Sequence, residues 1–157
     1  MIEIVRERRV EAPVANVWAV VSEAGRAPEW FTFAERVEVR SGDGVGQLRT
    51  QHGRWGSKHA EVDQEITRFE PNSLLAWRHL AERLDGKPAP RFAASTEFRI
   101  ELEPVGEATT VRLTSRQEPA GAVKGLVMKL FGTKDVARNM ERSLDRLATT
   151  VHHKVGP

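Results

Sequence analysis

The chain of 157 residues is the length of one domain, and at this size folding buries about 70% of the surface that the unfolded chain exposes, so a core needs neither disulfide nor metal to stand. Cys is absent, which excludes disulfide scaffolds, thiolate zinc sites and cysteine nucleophiles and makes a reducing compartment, the cytoplasm, the expected setting. Charged residues at 29% against 39% hydrophobic describe a folded globular chain, and a net charge of +2 supplies no electrostatic reason for a nucleic-acid or membrane partner.

Met1-Ile2-Glu3-Ile4-Val5-Arg6-Glu7 lacks the basic segment and apolar run of a secretory signal, and no stretch approaches the ~20 apolar residues of a membrane span. Over residues 2–11, Ile2, Ile4 and Val10 alternate among Glu3, Arg6, Glu7 and Glu11, which predicts an edge strand with one wet face and a candidate dimer edge. Ala12-Pro13 ends it. Pro13 suits a first helical position, and Val14, Val17, Trp18 and Val21 follow the i, i+3, i+4, i+7 template, so a helix is expected over 13–23. Gly25 to Phe33 holds Pro28 and three aromatics, Trp30, Phe31 and Phe33, more apolar surface than a free loop carries. It reads as a short turn of helix folded back onto the core.

From Ala34 the punctuation is that of antiparallel strands: 34–41, a turn at Ser41-Gly42-Asp43-Gly44, 45–52, a turn from Gly53 to Gly56, then 57–69. In 57–69 the set Lys58, Ala60, Val62, Gln64, Ile66 and Arg68 carries the apolar residues and should face inward; a bulge near 58–60 would turn His59 in as well. Pro71-Asn72 turns the chain into a strand over Leu74 to Leu84, followed by the loop Asp85-Gly86-Lys87-Pro88-Ala89-Pro90. In strand 91–103 Phe92, Ala94, Phe98, Ile100 and Leu102 form the buried face, and in 108–118 Val111, Leu113, Ser115 and Gln117 do. After Pro119 the period becomes helical. Val123, Leu126, Val127 and Leu130 make one apolar stripe, continued by Val136, Met140, Leu144, Leu147, Ala148 and Val151, with Gly132-Thr133 interrupting the helix and Thr133 as a candidate N-cap. One antiparallel sheet with a long C-terminal helix across it is an α+β layout.

This order resembles the START/Bet v 1-like (SRPBCC) superfamily, in its polyketide cyclase/dehydrase-like branch of small bacterial proteins. The residues that carry the resemblance are Val10-Glu11-Ala12-Pro13-Val14-Ala15-Asn16-Val17-Trp18-Ala19-Val20-Val21, Pro28-Glu29-Trp30-Phe31, and Arg68-Phe69-Glu70-Pro71-Asn72 before Leu75-Ala76-Trp77-Arg78. The resemblance covers nearly the whole chain as a single domain, 1–157. It implies a helix-grip fold: a curved seven-stranded antiparallel sheet wrapped around the long C-terminal helix, with two short N-terminal helices. Between sheet and helix it implies an elongated cavity for an apolar or amphipathic small molecule, with the segment near Trp30 at its mouth.

Trp30, Trp55 and Trp77 fall where such a fold brings them near the cavity or its rim, while Trp18 belongs to helix packing. For Trp30 and Trp77 core and ligand wall stay open as alternatives, because a cavity wall in this fold is also the core. Phe33, Phe98, Leu113, Met128, Phe131 and Met140 complete the expected wall, the Met thioethers adapting to irregular ligands. His79 shares a strand face with Leu75 and Trp77, which makes it either a general acid or base in the cavity or a histidine hydrogen-bonded to a neighbouring strand or sitting at the rim. The related cyclases are similar in having an Arg and hydroxyls that orient a poly-β-ketone; Ser115, Gln117, Arg49 and Arg78 are the polar groups here, and no motif ties them to that role. His59-Ala60-Glu61 matches part of a zinc-deaminase signature, but the Cys ligands do not exist, and no His-Glu-x-x-His occurs, so neither metal nor cofactor is expected. His52 and His59 are separated by a turn, and His152-His153 read as surface. Gly42-Asp43-Gly44-Val45-Gly46 lacks the Gly-Lys-Ser/Thr of a phosphate loop, and no Ser sits in a nucleophile elbow.

Three functions follow. The first is binding of a hydrophobic small molecule or lipid, a polyketide or an aromatic compound, by a monomer or homodimer with no nucleic-acid partner. The second is a cyclase, aromatase or dehydratase using His79, with Ser115, Gln117 or an Arg orienting carbonyls. The third is an interaction module. Residues 120–157 hold seven Lys/Arg against three Asp/Glu, and Lys129, Lys134, Arg138, Arg142 and Arg146 would form a basic face for an acidic protein, RNA or anionic lipid, unless they are simply a solvated helix face.

Overall fold

The computed structural model describes residues 1–89, 93–127 and 132–155, the last three by backbone alone. Strand β1 (Ile2–Val10) leads into α1 (Val14–Val21), a single 3-10 turn (Ala24–Arg26) and α2 (Ala27–Trp30). Six longer strands follow, β2 (Arg36–Ser41), β3 (Leu48–Trp55), β4 (Lys58–Glu70), β5 (Leu74–Leu84), β7 (Ala93–Val105) and β8 (Ala108–Pro119), with a two-residue β6 (Lys87–Pro88) paired to β5. The chain closes with α3 (Ala122–Val127) and α4 (Thr133–Val155).

Each strand pair is antiparallel, in the order β1-β8-β7-β5-β4-β3-β2, so both edge strands flank the α1–α2 segment that joins them in sequence. This is the helix-grip architecture: the sheet curves around α4, which packs on β1, α1 and α2. Its apolar stripe, Met140, Leu144, Leu147 and Val151, is fully buried against Val17, Val20, Ile4, Val111 and Leu113. Arg6 and Arg8 fall on the inward parity of β1 and reach Glu141 and Asp145 on the flank of α4, so two charged positions on a buried face serve as interlayer ion pairs.

Two irregularities set which residues enter the interior. Thr67 is an extra residue opposite Ala76-Trp77, and it flips the side-chain parity of the end of β4. Arg68, expected inward, therefore faces out beside Glu70, and Phe69 turns in to meet Trp18 edge-on. Gly53 is a strand residue rather than the start of a turn: β3 runs to Trp55, and the turn is Gly56-Ser57, with Gly56 at φ +63°. A Cβ on Gly53 would lie 2.6 Å from the carbonyl oxygen of Phe33, so only glycine lets the 31–35 segment lie on β3. His59 stays on the outer face, in register with Arg54.

Of the apolar stripe expected on the first part of the C-terminal helix, Val123, Leu126 and Val127 are left exposed. Val123 is 77% and Leu126 57% exposed, because α3 turns back at Gly121 and sets Gly125, its closest-approaching face, against Pro119. Leu130, Met128, Phe131, Lys129 and Phe92 lie outside the described residues.

Candidate functional site

The interior of the sheet is richest where β5 and β7 pair opposite α2. Trp77 and Phe98 are direct cross-strand partners, and their rings stack at 5.1 Å and 18°. From the other side Trp30, Phe31 and Phe33 descend from the end of α2. Phe31 is the hub of the five rings, with centroids 5.0 Å from Trp30, 4.9 Å from Phe33, 5.7 Å from Trp77 and 5.4 Å from Phe98. The segment carrying them is held to α4 by polar bonds. The Thr32 backbone N–H donates to Ser143 Oγ (3.0 Å), and the Thr32 hydroxyl donates to Asn139 O (2.9 Å). Arg146 donates to Pro28 O (3.1 Å) and Thr150 to Glu29 O (3.1 Å).

Beneath this cluster is a small cavity lined by Glu23, Trp30, Phe31, Arg49, Gln64 and Trp77, among others. The space open to the centre of a water molecule is about 20 Å³, enough for one water. The rings of Phe31, Trp77 and Phe98 pack against one another in the interior, where the resemblance placed an elongated cavity. Its polar lining is unusual. The indole nitrogens of Trp30 (2% exposed) and Trp77 (6%) are buried and have no hydrogen-bond partner among the described residues. Arg49, 8% exposed, donates from Nε to Gln47 Oε1 (2.6 Å) and from Nη2 to Ser22 O (3.3 Å), and it forms no ion pair among the described residues. Burial pulls the Arg49 guanidinium below its ordinary range, while Glu23, beyond ion-pair distance, opposes that shift. Gln64 donates to Gln51 Oε1 (3.0 Å), and the Gln51 amide donates to Phe33 O (3.5 Å).

The expected wall residues divide. Trp30, Trp77, Phe98, Leu113, Ser115 and Met140 are buried, Phe33 and Gln117 half-buried, and all face the interior. Trp55 is 60% exposed at the end of β3 and does not join them. His79 lies on the inner face beyond Trp77, paired with Gln64 across β4, with Nδ1 3.4 Å from Glu82 Oε1 but without hydrogen-bond geometry to any partner among the described residues. Arg78 is corrected: on the opposite parity it points outward and pairs with Glu65 (2.6 Å). Met128 and Phe131 fall outside the described residues. Phe31 and Gln51 are additions that the expected wall lacked; the Pro28-to-Phe33 density of aromatics was the available signal for the first.

The outer face of β2–β5 carries a separate polar network. His52, buried, has its Nε2 2.6 Å from Glu38 Oε1 and its Nδ1 3.1 Å from His59 Nε2. The bond to His52 holds the Glu38 carboxyl below its usual range. Arg83 donates to both oxygens of Asp63 (2.7 and 2.9 Å) and to Glu61, and so lowers the Asp63 carboxyl likewise. Among the described residues no group of three His, Cys, Asp or Glu is placed to hold a metal, and no helix is long and apolar enough to cross a membrane. Lys134, Arg138, Arg142 and Arg146 are exposed along α4.

The family described as polyketide cyclase/dehydrase and lipid transport matches residues 1–152. Among solved structures the fold is shared with TTHA0849 from Thermus thermophilus (18% identity, 99% of this chain and 100% of that one, TM-score 0.77) and the Zhui aromatase/cyclase from a Streptomyces species (16%, 99% and 96%, 0.77). It is also shared with Ara h 8.0201 (13%, 97% and 98%, 0.74). No curated protein matches the chain by sequence.

Proposed function

The chain belongs to the polyketide cyclase/dehydrase and lipid transport family, and from that premise we propose that it binds an apolar or amphipathic small molecule between the sheet and α4. The observation that carries this reading is the five-ring cluster of Trp30, Phe31, Phe33, Trp77 and Phe98 beside a small cavity, with two buried indole N–H groups that none of the described residues satisfies. Most buried indole N–H groups in folded proteins are paired, so two unpaired ones in one cluster call for an acceptor. Leu113, Ser115 and Gln117 on β8 and Met140 on α4 extend the proposed wall, with Phe33 on the segment after α2 and His79 beyond Trp77 on β5. The binding molecule takes the space that Phe31 and its neighbours occupy, which requires the 28–33 segment to move.

A second reading, cyclisation or dehydration of a carbonyl compound, is favoured by one observation: the inward-facing His79 has a ring nitrogen without a hydrogen-bond partner among the described residues. In that reading His79 exchanges a proton with a substrate seated against Trp77. The Zhui aromatase/cyclase shares the fold.

The test is native purification, solvent extraction and mass spectrometry, followed by titration of the extracted class of compound with tryptophan fluorescence as readout. A stoichiometric apolar compound that quenches Trp30 or Trp77 supports binding. An empty extract and no response to fatty acids or aromatic compounds refutes it. Turnover of a bound carbonyl compound that is lost in His79→Ala while binding persists would establish the second reading.

A further inference from the structure

Buried charges in proteins are paired, because removing an ion from water without a counter-ion is costly. Most arginines here obey that rule. Arg83 sits between Glu61 and Asp63, and Arg112 in the outer-face groove beside Ser73, Leu74 and Glu103 is paired to Glu7 and Glu101, so neither site calls for a ligand. Arg49 differs. It is more deeply buried than either, and among the described residues its hydrogen bonds go to a neutral side-chain amide and a backbone carbonyl and it forms no ion pair. The same cavity is bounded by Trp30 and Trp77, both more than nine-tenths buried, whose indole N–H groups have no partner among the described residues. Arg49, Trp30 and Trp77 line one small space, and a buried cation beside two unpaired indole N–H groups is complementary to an anionic acceptor.

Resting on the ligand-binding reading, we infer that the cavity formed by Arg49, Trp30 and Trp77 is the head-group site of an amphipathic monoanion, a carboxylate whose apolar part lies against the ring cluster. The guanidinium supplies the charge-assisted bond, and the two indoles supply neutral donors to the remaining lone pairs. The scale agrees: a space that holds one water receives a carboxylate oxygen and not a whole ligand, so the rest of the molecule must occupy the place of Phe31 and Phe33. Glu23 lines the same cavity and is the carboxylate that acts on Arg49 from a distance. It supplies partial compensation when the site is empty and repels a bound anion.

The probes are 2-naphthoate and its uncharged analogue 2-naphthalenemethanol, with acetate and phosphate as tail-free anions, titrated calorimetrically into the full chain and its variants. The wild-type protein should bind the acid about tenfold or more tightly than the alcohol. Arg49→Met should bring that ratio close to one, and Trp77→Phe, which keeps the ring and removes the N–H, should lower it in part. Glu23→Gln should tighten the acid a few-fold and leave the alcohol unchanged. Equal affinity for acid and alcohol in the wild type overturns this inference and leaves the ligand-binding reading standing. Failure of both probes, together with an empty extract, removes both. Binding of acetate or phosphate without binding of 2-naphthoate overturns the amphipathic occupant, since the site would then serve a free anion.

Discussion

Truncation of Phe31 tests whether the ring cluster is a packed core or a loosely closed pocket. Phe31 is 4% exposed and is the ring shared by four aromatic pairs. Loss of a buried Phe to Ala removes about 3–5 kcal/mol, and aromatic pairs in such geometries contribute ~0.5–1.5 kcal/mol each beyond their area, so Phe31→Ala belongs at the upper end of that range. For a chain of this length the Tm falls about 2–4 °C per kcal/mol, which gives a drop of roughly 10–20 °C. Urea unfolding followed by tryptophan fluorescence reads the same loss as a shift in midpoint with little change in slope. The cavity left behind has aromatic walls on Trp77 and Phe98, and an apolar void of that kind takes up small aromatic molecules. Indole or naphthalene should therefore raise the Tm of Phe31→Ala by more than that of the wild type. A loss below about 1 kcal/mol would refute the argument, because it would mean the ring is already replaceable by solvent.

Gly53→Ala forces a methyl against Phe33 O at 2.6 Å, a backbone atom that cannot rotate away; about 1–3 kcal/mol of stability should be lost in urea unfolding, together with displaced amide resonances for residues 31–35. Ser143→Ala strips the acceptor from the half-buried Thr32 N–H, with a cost of about 1–3 kcal/mol and faster hydrogen exchange at that amide, while exchange at Leu113 on the far wall is unchanged. The Asp63 carboxyl is held low chiefly by its hydrogen bonds to Arg83, so the unfolded chain takes up its proton first. Its contribution is complete above about pH 4, the ordinary carboxylate range, and is lost as the pH falls through the lower folded value. Asp63→Asn should flatten the stability profile below about pH 4 and leave its shape unchanged between pH 5 and 8, as measured by urea midpoints.

The parts of the fold that could be read from sequence are those where one face is wet and one dry. Strand β5 begins and ends at Leu74 and Leu84 as its pattern required, and the Met140, Leu144, Leu147 and Val151 stripe marks the buried side of α4. Where a local irregularity changes parity, pattern reading fails: the extra Thr67 sends Arg68 outward, and Gly53 resembles a turn residue although it is a close-approach glycine inside β3. That second misreading ended β3 at residue 52 and hid the inward position of Gly53. Apolar periodicity on α3 predicted packing that the Gly125–Pro119 contact replaces. Phe31 gave no periodic signal because it follows Pro28 in a one-turn helix, and its role emerges only when β5 and β7 bring Trp77 and Phe98 to it. Legibility thus ended where long-range register, rather than local pattern, decides which side chains meet.

The packed ring cluster and the proposed ligand are compatible because of what holds the cluster in place. The bonds that hold residues 28–33 to α4 are polar and near solvent: Thr32 to Ser143 and Asn139, Arg146 to Pro28, Thr150 to Glu29. Each contributes about 0.5–1.5 kcal/mol net, since its groups recover water when the segment lifts. The larger cost of opening is exposure of the five rings, and a bound apolar surface removes that cost by covering them again. A hydrophilic anion would satisfy Arg49 and the two indoles but leave the rings wet, whereas a neutral apolar molecule would cover the rings but leave Arg49 and both N–H groups buried without an anionic acceptor. Apparent affinity is the intrinsic affinity reduced by the fraction of open protein, so only a ligand that meets both demands offsets the opening in full. The proposed occupant, apolar along its length and anionic at one end, is therefore the one that would meet both the ring cluster and a buried cation that lacks a counter-ion among the described residues.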